Sequence, residues 1–480
     1  MKKVLYIAVS LILVGMMGCK KQLTEDPKTF ISPEQFFKSD QDAVQGVNGV
    51  YFWLVGSYPQ RLFQQDLWQV LDEDCDAIRR PNSGAQNLSG NNPGSAQIVY
   101  GGIYKGIYNA SQCIDRIPKS GTSDLKKRTE GEARFLRALF YYYATGLFGD
   151  VPLINESNYS NTETAKTLPR SPVADVRKLM VTDLTAAIGL LPVTYPDAAD
   201  KGRATKGAAQ TLLTKVYLWN KDWANAKATA LAIKNSGTYT LLPNYADVFS
   251  ASNEFNNESI FEIDFQKDLL NSYQHAFYSP DSRVGVEPFS KKPWYRVYVP
   301  YQAFASSFAP EDKRKTAQIA TGYNGQAFAP DATNRVNVWF GPKWWRLDAD
   351  ERNSGLDIYV FRYADVLLML AESANEGGDI TTALSAINEV RQRAGIAVLA
   401  GLSQDQLRNQ IYQERGWELC GEGHRRLDLQ RWGKFIATAK AASLTEEPIL
   451  SNSYQTFYNL LPIPASEIQK NPALTQNPGY

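Results

Sequence analysis

The chain has 480 residues, enough for one large domain with insertions or for two or three ordinary ones. Its 51 Lys and Arg against 50 Asp and Glu argue against a nucleic-acid groove or a polybasic membrane face as the main contact, so affinity has to come from shape and specific groups. The composition offers 44% hydrophobic residues for a core and an abundance of rings, with 10 Trp, 26 Tyr and 21 Phe.

In chain order, Lys2 and Lys3 precede an apolar run, Val4 to Met17, shorter than the about 20 residues a membrane-spanning helix needs. With Gly18-Cys19 after it, the run resembles a bacterial lipoprotein signal, residues 1–18, removed so that Cys19 carries the lipid. A polar tether follows, and Ser32-Pro33-Glu34-Gln35 spells a capping box that opens a short helix through Phe36 and Phe37. Apolar residues at helical spacing predict a helix over 40–54. Residues 56–97 lose periodicity and read as a long loop, a type of segment that is usually functional. Helices are predicted over 98–117, 124–148 and 172–191, then a tight hairpin over 204–220 and 223–235 that turns at Lys221 and Asp222.

From Tyr239 the rhythm changes. Ser259 to Phe265 alternates with period two, the mark of a half-buried strand, which puts Glu262 and Asp264 on a solvated face. Residues 266–361 hold no long helical pattern and are dense in Pro, Gly and rings. The most strongly patterned stretch is 362–394, two helices joined at Gly377 and Gly378, both expected at positive φ, with Asp379 as N-cap. Helices over 404–419 and 425–432 and an extended, Pro-rich tail complete the chain.

Several chemistries have little to work with. Once Cys19 is set aside, Cys75, Cys113 and Cys420 leave at least one unpaired thiol, and Cys113 and Cys420 read as buried. His275 and His424 are too few for a His-rich zinc site or a His-based triad. Asp72, Asp74 and Asp76 alternate as in a calcium loop, but Ala77 and Ser83 stand where an EF-hand needs Gly and Glu. No Gly-rich phosphate loop, GxSxG elbow or HExxH occurs, so neither a cofactor nor a catalytic metal is expected. Glu414, Glu418, Glu422 and Asp428 stand among Arg415, Arg425, Arg426 and Arg431, which would hold them ionised and make them an ion-pair network instead of an acid–base pair.

Four segments stand out: DAVQGVNGVY (Asp42 to Tyr51) after LTEDP; GEARFLRALFYYYATGLFGDVPL (Gly131 to Leu153); RYADVLLMLAESAN with ALSAINEVRQRAG; and ERGWELCGEGHRRLDLQRWG (Glu414 to Gly433) with the C-terminal LLPIPASEIQKNPALTQNPGY. Taken together, they resemble the SusD/RagB family of outer-membrane lipoproteins. The resemblance implies a mainly α fold, a scaffold of four tetratricopeptide-like helix pairs with long loops and a few short strands forming a ligand-binding subdomain. It implies a single body over 19–480, with the scaffold mainly in 34–55, 98–235 and 362–436 and the binding region in 56–97 and 239–361. It implies too a cell-surface protein of the outer membrane, lipid-anchored through Cys19, that captures a glycan without altering it. Its partner would be a SusC-like TonB-dependent transporter, over which it sits as a lid; nucleic acid is not expected as a ligand.

A sugar ring has an apolar face and a belt of hydroxyls, so its site needs flat rings beside a few polar groups. Two loop regions offer that mixture. One holds Asp74, Asp76, Arg79, Arg80 and Asn82 and ends near Tyr100; the other holds Trp294, Tyr295, Tyr298, Tyr323, Trp339, Trp344 and Trp345. Trp219, Trp223, Trp417 and Trp432 fall on helices and are assigned to the scaffold. The alternatives are a peptide-binding member of the same family, a glycosidase using loop carboxylates, and a structural helical adaptor.

Overall fold

The computed structural model describes residues 36–480 apart from 57–58, 74, 82–93, 333–334 and 352. The lipoprotein signal, Cys19, the Ser32 capping box, Asp74 and Asn82 lie outside the described residues. Phe36 and Phe37, expected in a helix, stand in a turn with Phe37 at φ 70°.

Helix α1, Asp40–Val55, begins where its side chains can satisfy its free amides. Ser39 Oγ accepts from the Asp42 amide at 3.1 Å, and Asp42 Oδ2 accepts from the Ser39 amide at 2.8 Å, a reciprocal capping box. Within 56–97 the described stretch 62–72 is helical where the sequence reads as loop: a π-helical segment, Leu62–Asp66, runs into α2, Leu67–Asp72, and buries Leu62, Phe63, Leu67, Trp68 and Leu71. Segments this short cannot display a helical period, which is why they read as loop.

The long helices follow: α3, Gly94–Lys119; α4, Asp124–Phe148; α5, Val173–Leu190; α6, Lys206–Trp219; and α7, Trp223–Asn235. Beyond the loop-rich region come α8, Tyr363–Glu376; α9, Ile380–Ala394; α10, Gln404–Glu418; and α11, Arg425–Arg431. The two expected hairpins, α6–α7 and α8–α9, pack, and α1–α3 and α4–α5 complete four pairs, the number the family resemblance implies. The array is continuous as well, because α3 packs on α4, α5 on α6 and α7 on α8. Gly106 makes one of these approaches possible: a Cβ there would lie 2.3 Å from the Phe140 ring. At the α8–α9 turn only Gly378 takes a positive φ, 81°; Gly377 has φ −80° and serves as the C-cap of α8.

Helix α8 departs from a one-striped helix, because every residue from Tyr363 to Asn375 is buried. It lies between α7, α9 and α10, which gives it no solvent side, so its polar residues need partners inside the protein. Asp365 meets Lys215 at 2.6 Å and Arg415 at 2.9 Å; Glu372 takes Trp432 Nε1 at 2.9 Å and pairs with Arg431.

The described strands form four two-stranded antiparallel ladders. β1 (Ile78–Arg79) pairs with β3 (Val299–Pro300), β2 (Ser259–Ile263) with β8 (Ile358–Arg362), β4 (Ile319–Ala320) with β7 (Trp339–Phe340), and β5 (Gly322–Tyr323) with β6 (Gln326–Ala327). The strand expected at 259–265 is β2, but Glu262 is not on a solvated face: it is 2% exposed and accepts from the Phe255 amide at 2.7 Å. The scaffold reaches this ladder, as Phe135 of α4 packs edge-on against Phe261 with centroids 5.0 Å apart. The tail, expected to be extended, contains the short helix Ala465–Lys470.

Candidate functional site

The two regions expected to bind do meet, and the β1–β3 ladder joins them through Ile78↔Pro300 and Arg79↔Val299. What they bring together is mostly structural. Arg79 is buried between Glu446 and Glu447, at 3.0 and 2.5 Å, and donates to the Arg335 carbonyl at 2.6 Å. Asp76 is paired with Arg425 at 2.6 Å. Asp72 accepts from Tyr278 Oη at 3.0 Å and from the Gly423 amide at 2.9 Å, so 72 and 76 both serve to hold the chain and do not form a calcium loop.

The loop tryptophans need the same correction. Trp339 and Trp344 are 1% exposed and Trp294 is 5% exposed. Trp344 stacks on Tyr278 with centroids 5.1 Å apart, Trp294 Nε1 donates to the Asp350 carbonyl at 3.1 Å, and Trp339 packs edge-on against Phe328. Tyr298 is buried with its hydroxyl on Glu73, 3.1 Å away, and Trp345 donates to the Phe340 carbonyl at 3.0 Å. Trp294, Trp339 and Trp345 join Phe289 and Phe328 in a second hydrophobic core inside the loop-rich region. Short strands and turns provide no continuous apolar face, so large rings have to make that core, and the enclosed rings of Trp294 and Trp339 present no face to a sugar. At the junction, Tyr295 is half-buried with its hydroxyl on Glu351, and Arg80 keeps 42% of its side chain exposed, 3.9 Å from Glu73.

The carboxylates near the C-terminus are ion-paired as expected, but only Asp428 takes the expected arginines, Arg415 and Arg431; Glu414, Glu418 and Glu422 are held by cations from other segments. Arg362, fully buried, binds Glu258 at 2.8 Å, Glu418 at 2.6 Å and Glu422 at 2.6 Å, while Arg314 binds Glu414 at 2.6 Å and Glu418 at 3.1 Å. Burial alone would raise Glu418, but Arg393, Arg362 and Arg314 overcome it and hold the carboxyl well below its ordinary range. An acid catalyst needs the opposite shift and access to substrate. Trp219, Trp223, Trp417 and Trp432 lie half-buried against the core, as assigned, and Cys75, Cys113 and Cys420 are buried free thiols.

Exposed rings occur elsewhere, along α3. A cleft of about 750 Å³ opens between that helix, the end of α1 and the C-terminal segment, and Tyr100, Tyr104, Tyr108 and Trp53 line it. Tyr100, the sequence candidate found here, is its buried base: it stacks on Tyr104 with centroids 4.5 Å apart and meets Phe148 edge-on. Tyr108 is 42% exposed. Lys105 Nζ lies 4.6 Å over the Trp53 ring and 3.1 Å from Gln60 Oε1. Gln97, Asn109, Glu467 and Asn471 supply hydrogen-bonding groups around the rings. Sequence reasoning passed over Trp53, Tyr104 and Tyr108. The signal was their spacing: Tyr100, Tyr104 and Tyr108 repeat every four residues, which stacks rings along one face at ~6 Å of rise per step.

A second hollow, of about 740 Å³, covers the β5–β6 hairpin, with Tyr323 and Trp345 as rings and Asn324 and Gln326 as amides. Asn324 and Gly325 both take positive φ, 49° and 79°, the two-residue turn that Asn-Gly favours.

A family model described as the SusD family matches residues 217–480, and one described as starch-binding, associating with the outer membrane, matches residues 71–218. A SusD-like protein of Formosa agariphila is 30% identical over 98% of this chain and 98% of its own length. The chain belongs to the SusD family. The starch-binding protein SusD of Bacteroides thetaiotaomicron is 25% identical to this SusD-family chain over 74% of it and 73% of its own length. The crystal structure of a SusD homolog from the same organism superposes with a TM-score of 0.81 at 24% identity, covering 94% of this chain and 99% of that one. The SusD-family scaffold is thus the helix array described above, with the loop-rich ladders set on it.

Proposed function

We propose that this SusD-family protein captures an oligo- or polysaccharide at the cell surface, holds it without chemistry, and passes it to a TonB-dependent outer-membrane transporter. The observation that carries the reading is the α3 cleft, where Trp53, Tyr104 and Tyr108 offer rings beside Gln60, Gln97 and Asn109. Rings repeating once per helical turn suit a polymer of linked rings, since each stacks on an apolar sugar face while the amides take hydroxyls. The family assignment supports a glycan as the class of ligand, and the starch-binding relative is an instance of it. Anchoring falls to Cys19, and no helix among the described residues is long and apolar enough to cross a membrane.

The test is a panel of soluble glycans titrated against the protein. Trp53→Ala combined with Tyr108→Ala is expected to weaken the best ligand on the order of tenfold or more, the scale of losing one or two stacked rings. Tyr295→Ala with Arg80→Ala is the control at the β1–β3 junction. If only that second pair loses affinity, the site belongs to the junction and not to the α3 cleft. Binding to no glycan at all overturns the reading.

A further inference from the structure

Helix α3 carries Lys105, Arg116 and Lys119, and the last two pair with Asp115, at 3.5 and 2.5 Å. Lys105 differs. The helix has no acid from Gly94 to Ile114, and among the described residues no carboxylate oxygen comes within 4.0 Å of Lys105 Nζ. Its ammonium is held over the Trp53 ring and against Gln60 Oε1, two groups that line the α3 cleft. Lys105 and Tyr108, three residues apart, share a helix face, so the charge stands beside an exposed ring. An ammonium has three donors, and Gln60 takes one of them.

The rest of the lining has the same sign. Lys166 and Lys470 join Lys105 there against a single acid, Glu467, although the whole chain is balanced at 51 cations to 50 anions. Lys470 pairs with Glu467 at 2.7 Å, and Lys166 with Glu163, outside the lining, at 2.8 Å. Both lysines keep more than half of their side chains in water, so these pairs are worth little and give way to a better anion. A fourth cation, Arg170, is near enough to the base of the cleft to act on Tyr100 and Tyr104. Its hydrogen bonds go to neutral oxygens, the carbonyls of Phe148, Asp150 and Thr475 and the side chain of Asn477.

We propose that the glycan taken by the α3 cleft is anionic, a polysaccharide whose uronate carboxylates or sulfate esters reach Lys105 while its rings stack on Trp53 and Tyr108. The inference rests on the capture function proposed above and narrows its ligand class. Both anionic groups project from the edge of a sugar ring and leave its apolar face free to stack. A neutral chain can offer Lys105 only hydroxyls. A charged substituent turns the same contact into a charge-assisted hydrogen bond, about twice as strong as a neutral one. Rings beside the ammonium lower the local dielectric, so the attraction there exceeds what open water would allow.

The experiment titrates polygalacturonate, alginate and carrageenan, each beside its carboxyl-reduced or desulfated counterpart, at low and at high NaCl. At least one native chain should bind on the order of tenfold or more tighter than its neutralised counterpart, and high salt should remove most of that margin. Whether carboxyl reduction or desulfation abolishes the difference tells the two anions apart. Lys105→Gln, an exposed change that leaves folding alone, should weaken the native chain on the order of tenfold and leave the neutralised chain unchanged. Trp53→Ala with Tyr108→Ala should weaken both, which separates stacking from charge. Neutralised chains that bind as tightly as native ones overturn the charge inference and leave capture standing. Wild-type affinity of Lys105→Gln for the acidic chain overturns it too, because the attraction is then diffuse. Binding to no chain of either kind overturns the capture function itself.

Discussion

Arg362 shows how single residues carry this fold. Its guanidinium is fully buried and is tolerated because Glu258, Glu418 and Glu422 surround it. Arg362→Leu strands those acids and is expected to cost about 3–5 kcal/mol, read as a lower urea midpoint at unchanged m. The acids also set the pH dependence, in two opposing groups. Burial would raise Asp428, but Arg415 and Arg431 lower it from the ordinary 3.8 to about 2. Its stabilisation is therefore complete above about pH 4 and is lost as pH falls toward 2. Glu262 and Asp357 run the other way: burial raises them to about 7 and about 8, so the folded state keeps protons that the unfolded chain releases near 4. Stability should then decline as pH rises from about 4 to about 8, and Asp357→Asn should flatten that decline in thermal melts.

At the scale of elements, the informative contrast lies between α8 and the loop-rich region. The α8–α9 hairpin was legible because its apolar period is strong, yet periodicity did not reveal that α8 is buried on every side; that depends on α7 and α10 closing over it. In the loop-rich region the same ambiguity led the other way. Ring density there is equally compatible with a binding surface and with a small separate core, and the rings of Trp294 and Trp339 belong to the core. Trp339→Ala should consequently cost about 3–5 kcal/mol of stability while leaving the folded protein's glycan affinity unchanged. Gly106→Ala tests the α3–α4 approach and should destabilise by about 1–3 kcal/mol through its clash with Phe140, measured by chemical denaturation.

For the molecule as a whole, the helix array is a platform on which the loop-rich ladders are set, and the proposed role is binding without catalysis. The acids near the C-terminus are neutralised by arginines inside the protein, so incubation with any bound glycan should release no new reducing ends. Cys19→Ala should move the protein from the membrane fraction to the soluble fraction, because a cleaved and acylated Cys19 is the proposed attachment.

The sequence by itself determined the long helices and the two tight hairpins, α6–α7 and α8–α9, because a helix long enough to repeat its apolar period announces its buried face, and short turns force neighbours together. It pointed to the family through four segments in order, and it identified Asp428 as paired with Arg415 and Arg431, whereas the arginines on Glu414 and Glu418 come from distant segments. Tertiary structure alone decided which rings face solvent. Trp344 and Tyr108 are both aromatic residues, yet one is enclosed between Tyr278, from a distant segment, and Phe340, while the other stands on an uncovered helix face. Tertiary structure alone also brought Lys105 and Lys470 to one cleft, because the C-terminal segment returns to the side of α3, a juxtaposition that no local pattern records.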